Sequence, residues 1–171
     1  LKKSDDPQTR AFLLDQSLEE LRGTLYRQTL FAEFELAMHR HIEEGNSLTA
    51  DWLDTIYLDL TRHYYGHREK ITRIGSFIAN EWSAIPHFFY NFYVYQYSTG
   101  IISAIAIARE ILSGNTAVRD AYINLLKSGD SLPPLQTLAK VGVDLTRDGP
   151  IRACLEHMNH LVSELEETGE T

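Results

Sequence analysis

Residues 81–100, EWSAIPHFFYNFYVYQYSTG, concentrate the side chains of this sequence that could do chemistry. The stretch holds one histidine and four tyrosines in an almost uncharged setting. Hydroxyl and imidazole donors in apolar surroundings can hold a peptide carbonyl and the oxyanion that develops on it. A plain aromatic core is the alternative, but each buried phenol would then need a hydrogen-bond partner. We therefore expect a binding or transition-state-stabilising surface that lacks its own nucleophile.

The histidines do not form a convincing metal site. His63 and His67 are four residues apart, which is the spacing of a metal pair on one helical face. The residues between them do not match HExxH, and the pair lacks a third ligand. His157 and His160 are interpreted as helix surface. We predict no metal site in this chain, with a small metal protein built on a histidine cluster as an alternative.

Other catalytic patterns are absent or weak. Glu33 and Glu35 are two residues apart and diverge on a helix, which makes a shared acid–base dyad unfavourable. One of them is expected to be partly buried against Arg27 or Arg22. The sequence has no glycine-rich phosphate loop, no GxSxG elbow and no CxxC motif. Cys154 is expected to be a buried structural thiol.

Charge and composition exclude some classes of partner. Lys and Arg number 16 against 24 Asp and Glu, a net charge of −8. This argues against nucleic acid and against a polybasic membrane patch. The segment from Trp82 to Ala108 has no charged residue and could span a bilayer, but its histidine, amide and tyrosine side chains argue against a membrane span. One cysteine favours a reducing, cytoplasmic compartment.

Hydrophobic periodicity predicts an all-α fold with about seven helices, and residues 1–171 as a single helical unit. The first helix begins at Asp6-Pro7 and continues to Glu44, with Gly23 as a local distortion. Thr49 caps the second helix, which Gly66 closes. The remaining helices are predicted over residues 71–82, 88–98, 101–112 and 116–127, from Pro133-Pro134, and from Pro150 onward.

Three stretches resemble one family. They are LYRQTLFAEF at residues 25–34, IPHFFYNFYVYQYSTG at residues 85–100, and LKSG with LAKVGVD at residues 126–129 and 138–144. On these motifs nearly the whole chain resembles oligoendopeptidase F and its relatives, zinc metallopeptidases related to thimet oligopeptidase. The resemblance implies the C-terminal half of a zincin-type helical peptidase domain.

The resemblance also implies a zinc ion held by HExxH and a glutamate on a following helix. No HE dipeptide occurs in this sequence. The chain is therefore expected to be the C-terminal part of the catalytic domain, cut just after the zinc-binding helices. Zinc is then expected in the full-length parent and not in this chain, which alone would be inactive.

The site residues implied by the resemblance lie in the aromatic stretch. His87 matches the histidine of the motif, and Tyr93 and Tyr97 are the best matches for the catalytic tyrosines. Tyr90, Asn91 and Tyr95 are expected to bind substrate. Which tyrosine faces the oxyanion is left open.

The function expected from the resemblance is that of a zinc metalloendopeptidase that hydrolyses oligopeptides. A non-catalytic helical interaction module is the alternative. Removal of the zinc-binding helices is expected to expose part of the surface between Phe88 and Ile107. An exposed apolar patch promotes self-association of the isolated chain.

Overall fold

The computed structural model describes residues 6–169, and over that range every regular element is helical. Seven α-helices follow one another along the chain. They are α1 (Pro7–Leu21), α2 (Arg27–Glu43), α3 (Ala50–Tyr64), α4 (Tyr95–Leu112), α5 (Thr116–Ser128), α6 (Pro134–Ala139) and α7 (Gly149–Gly169). The predicted all-α class and helix number are thus confirmed. None of the described helices is long and apolar enough to cross a bilayer.

Side-chain caps fix several helix starts at the predicted positions. The Asp6 carboxylate accepts a hydrogen bond from the Thr9 amide at 2.9 Å, at the start of α1. The Thr49 hydroxyl accepts one from the Trp52 amide at 3.3 Å, at the start of α3. Such caps satisfy amide groups that have no partner inside the helix.

Gly23 distorts the first helix without ending it. Residues Arg22–Tyr26 form one turn of π-helix between α1 and α2. A π turn inserts an extra residue into an otherwise helical stretch. The predicted interruption at Gly23 is therefore confirmed.

The segment from residue 65 to residue 94 differs from the prediction. Residues 71–82 and 88–94 were expected to be helical, but this segment holds only three short 3-10 turns, Ser76–Ile78, Glu81–Ala84 and Pro86–Phe89. The apolar spacing was misleading here because Ile71 and Phe77 lie on the surface, 79% and 84% exposed. Positive φ angles at Asn91 (43°) and Phe92 (57°) are incompatible with a continuous helix.

Residue contacts divide the described chain into two units. The first, Thr24–Ser98, contains α2, α3, the 3-10 turns and the beginning of α4. Its core is a set of buried apolar side chains from these elements: Leu30, Phe31, Phe34, Leu53, Tyr57, Ile85 and Val94. The buried residues of α3 are Leu53, Tyr57 and Thr61, and its partly buried Trp52, Ile56, Leu60 and Tyr64 pack against the core.

The second unit contains residues 6–23 and 99–169. In it α1 packs along α7, with Leu14, Cys154 and Leu161 buried. Arg10 and Glu164 form an ion pair between these two helices at 2.9 Å. A smaller apolar cluster is built around Ile107, Val141 and Val143. Cys154 is a buried free thiol, as predicted, and burial raises its pKa.

Candidate functional site

A 3-10 turn and the start of α4 bring together the histidine and the two tyrosines singled out in the sequence. His87 lies in the turn Pro86–Phe89, and Tyr97 lies in the first turn of α4. The Tyr97 hydroxyl is 3.3 Å from His87 Nε2 and 3.0 Å from the Tyr93 hydroxyl. We call these three residues the His–Tyr cluster.

The rings of the cluster are packed against one another. The His87 and Tyr93 rings are parallel within 3° at 5.8 Å, and Tyr97 meets both edge-on. Tyr90 adds edge contacts to His87 at 6.3 Å and to Tyr93 at 5.9 Å. Each such pair contributes about 0.5–1.5 kcal/mol beyond its buried area. Packing therefore restricts the rotation of the groups that could meet a substrate.

Two hydrogen bonds link the cluster, with the Tyr97 hydroxyl between His87 Nε2 and the Tyr93 hydroxyl. If Tyr97 donates its only proton to the Tyr93 hydroxyl, His87 Nε2 must be the donor toward Tyr97. In this arrangement Tyr93 can donate its own proton to another acceptor. The hydrogen bond with Tyr93 raises the pKa of Tyr97 above that of an ordinary phenol.

Of the remaining predicted substrate-binding residues, Tyr90 contacts the cluster, and Asn91 and Tyr95 lie close to it in the sequence. Tyr90 is 62% exposed, and Tyr95, the first residue of α4, is 48% exposed. Asn91 has an exposed side chain and a left-handed backbone. The aromatic stretch is thus partly open to solvent among the described residues, instead of being the enclosed core that its composition could also have formed.

The backbone turn at Asn91-Phe92 connects the two halves of the cluster. Both residues lie in the left-handed region, which costs about 1–3 kcal/mol at a residue such as Phe92. The Phe92 amide donates a hydrogen bond to Glu35 Oε1 at 2.7 Å. The Phe92 ring stacks on His39 at 4.2 Å. Glu35 and His39 were not among the predicted site residues, because nothing in the sequence links them to Phe92.

Buried residues on either side of the cluster in the sequence anchor it to the core. Ile85 and Val94, on either side of the segment, are 8% and 0% exposed. Phe88, next to His87, packs edge-on against Phe31 at 5.5 Å and Phe34 at 5.3 Å. His87 and Tyr93 are therefore anchored by neighbours that belong to the core.

The two glutamates of α2 diverge, as the spacing predicted. Glu33 is exposed and accepts the Tyr64 hydroxyl at 2.8 Å, whereas Glu35 is buried. The prediction that the buried glutamate would pair with Arg27 or Arg22 was wrong. Glu35 binds a backbone amide, while Arg27 pairs with Glu81 at 2.7 Å and Arg22 with Glu19 at 2.8 Å.

A zinc ion does not fit the part of the chain that the structure describes. Residues 6–169 contain no group of three or more His, Cys, Asp or Glu side chains placed to hold a metal. His63 lies in the last turn of α3 and His67 follows the helix, where its Nδ1 accepts the Ile74 amide at 2.9 Å. We therefore derive no chemical step through a metal.

Over residues 6–169 the chain is entirely helical in its regular elements and carries a packed His–Tyr cluster without a group of metal ligands. The chain belongs to Peptidase family M3, whose profile matches residues 1–158. It is 42% identical to Oligopeptidase PepF of Bacillus subtilis, over 98% of this chain and 24% of that protein. It is 41% identical to Group B oligopeptidase PepB of Streptococcus agalactiae, over 97% of this chain and 27% of that protein.

A solved structure agrees with these relatives. Oligoendopeptidase-F from Enterococcus faecium matches with a TM-score of 0.91 and 38% identity, over 99% of this chain and 32% of that one. The predicted family is thereby confirmed. The chain spans about a quarter of the curated relatives and about a third of this structure.

Proposed function

We propose that this chain supplies the substrate-binding and transition-state-stabilising side chains of a peptidase that hydrolyses oligopeptides. The hydrogen-bonded cluster of His87, Tyr97 and Tyr93 carries the proposal. Membership of Peptidase family M3 and the names of the relatives support the peptide substrate.

Each member of the cluster has a chemical task in this proposal. Tyr93, at the outer end of the hydrogen-bond chain, donates to the carbonyl oxygen of the peptide as negative charge develops there. Tyr97 and His87 orient that donor. Because Tyr97 donates its own proton to the Tyr93 oxygen, the Tyr93 proton remains available for the substrate. Tyr90, which contacts the cluster, binds the substrate backbone together with Asn91 and Tyr95.

The metal of the complete protein is assigned to residues outside this chain. The resemblance implies zinc, and this chain has neither an HE dipeptide nor, among residues 6–169, a suitable ligand group. We expect the isolated chain to bind no stoichiometric zinc and to cleave no peptide. Metal analysis after dialysis against a weak chelator tests this, and about one zinc per chain would contradict it.

Steady-state kinetics on the full-length protein test the assigned roles. With a quenched oligopeptide, Tyr93→Phe should lose about 10²–10³-fold in kcat with little change in KM, since the lost donor acts in the transition state. Tyr97→Phe should also lower kcat. Tyr122→Phe, in α5 of the other unit, is the control and should retain wild-type kinetics. Near-wild-type turnover in both cluster variants would show that the cluster serves only packing.

Two earlier expectations remain predictions. Part of the aromatic stretch is exposed, with Phe89 at 85%, but Val94, Ile102 and Ile107 are buried. Self-association through this stretch would therefore involve residues around Phe89, and sedimentation of the purified chain would test it. The cytoplasmic location also stays a prediction.

A further inference from the structure

Glu35 is a carboxyl group placed inside the core of its unit. It lies in the middle of α2 and is 1% exposed, among apolar neighbours such as Phe31 and Phe34. Burying a carboxyl group is unfavourable unless it is hydrogen-bonded. Its Oε1 accepts the Phe92 amide at 2.7 Å, across 57 positions of sequence. The buried group therefore has one defined contact, and that contact is with the segment that carries the cluster.

A second side chain of α2 holds the same residue. His39 follows Glu35 by four positions, so the two side chains share a helical face. The His39 ring stacks on the Phe92 ring at 4.2 Å and 29°. One contact fixes the Phe92 backbone and the other fixes its side chain.

The conformation held by these contacts is one that the local sequence does not favour. Asn91 and Phe92 have φ angles of 43° and 57°, and neither is glycine. Asparagine tolerates this region, but phenylalanine rarely adopts it without support from its surroundings. Tyr93 follows Phe92 directly, so the direction of its ring depends on this turn.

We propose that Glu35 is a positioning residue, whose carboxyl oxygen fixes the left-handed turn at Phe92 and thereby sets Tyr93 against His87 and Tyr97. The effect of Glu35 on the position of Tyr93 is inferred from the hydrogen bond and the backbone angles, without reference to the proposed function. Its effect on turnover rests on the proposed function.

Three variants of the full-length protein separate positioning from simple burial. Glu35→Gln keeps an acceptor oxygen at the same reach, Glu35→Leu removes it, and Glu35→Asp keeps a carboxyl group but shortens the reach. Glu33→Leu is the matched control, since Glu33 is an exposed glutamate of the same helix. Glu35→Leu should lose about 10–10²-fold in kcat with a smaller change in KM, because a displaced donor acts mainly in the transition state. Glu35→Gln should retain most of the wild-type kcat, and Glu35→Asp should retain less of it than Glu35→Gln.

A spectroscopic readout tests the placement without reference to activity. With 3-fluorotyrosine at position 97, ¹⁹F NMR follows the titration of that hydroxyl, whose pKa is raised by its bond to Tyr93. In Glu35→Leu the pKa at position 97 should fall toward that of free 3-fluorotyrosine. In Glu35→Gln and Glu33→Leu it should stay at the wild-type value.

The outcomes distinguish this inference from the proposed function. An unchanged titration at position 97 in Glu35→Leu, with only a lower melting temperature, would overturn the positioning role. If Glu35→Leu does not fold, equal titration and turnover in Glu35→Asp, Glu35→Gln and wild type would overturn it. A shifted titration alongside wild-type turnover in Tyr93→Phe would support the positioning role and contradict the proposed function.

Discussion

The guanidinium of Arg27 lies 2.7 Å from the carboxylate of Glu81, which joins α2 to the 3-10 turn Glu81–Ala84. The other oxygen of Glu81 accepts the hydroxyl of buried Tyr57 at 2.5 Å. Burial, together with the bond to Glu81, raises the pKa of Tyr57 well above its usual range. This network ties the segment before the His–Tyr cluster to both α2 and α3.

Removing Glu81 should therefore destabilise the unit more than removing an exposed partner. Glu81→Ala deletes two hydrogen bonds and leaves Arg27 and Tyr57 without this partner, a loss of about 1–3 kcal/mol. Glu156→Ala is the control, because the Arg109–Glu156 pair is 44% and 57% exposed and is expected to contribute less than about 0.5 kcal/mol. Urea denaturation measures both, and equal losses would contradict the importance of the network.

The second prediction concerns the contribution of the aromatic core to the free energy of unfolding. Phe34 is 0% exposed and packs against Tyr57 and Phe88. Phe34→Ala should reduce the free energy of unfolding by about 3–5 kcal/mol, because it leaves a cavity in the core. Phe77→Ala, at a residue 84% exposed, should change it by about 0.5 kcal/mol or less. Similar effects of the two variants would show that Phe34 is not a core residue.

The pH dependence of stability should involve His157. Burial, with the nearby charges of Arg109 and His160, lowers the pKa of His157, although Glu164 opposes this shift. A lowered histidine pKa favours the fold above the unfolded pKa of about 6.5, and this contribution disappears as pH falls through the folded pKa. The melting temperature of the wild-type protein should therefore fall on acidification from about pH 7.5. The melting temperature of His157→Gln should fall less over the same pH range. An equal slope in the two proteins would contradict this.

The sequence predicted those parts of the fold that are determined locally. Asp6 and Thr49 cap the helices where they were expected to, because a cap depends on residues three positions apart. The same reasoning failed between Ile71 and Val94. There, Ile71 and Phe77 have helical spacing but are exposed, and the φ angles of Asn91 and Phe92 depend on contacts with α2.

The candidate site was predictable to a similar extent. Motif resemblance predicted His87, Tyr93 and Tyr97 as site residues. The structure places the Tyr97 hydroxyl within hydrogen-bonding distance of the other two, and their catalytic roles stay a prediction. The role of Glu35 was not predictable, since its partner is 57 residues away and is a backbone amide with no side-chain signature.

The central claim is that the Tyr93 hydroxyl binds the transition state more strongly than the substrate. The most direct measurement is the affinity of the full-length protein, wild type and Tyr93→Phe, for two ligands. One is a phosphinic peptide, whose tetrahedral anionic group resembles the intermediate, and the other is an uncleavable peptide of the same sequence. The substitution should weaken binding of the phosphinic peptide by about 10²-fold, and binding of the uncleavable peptide by less than about threefold. Equal weakening for both ligands, or none for either, would contradict the claim.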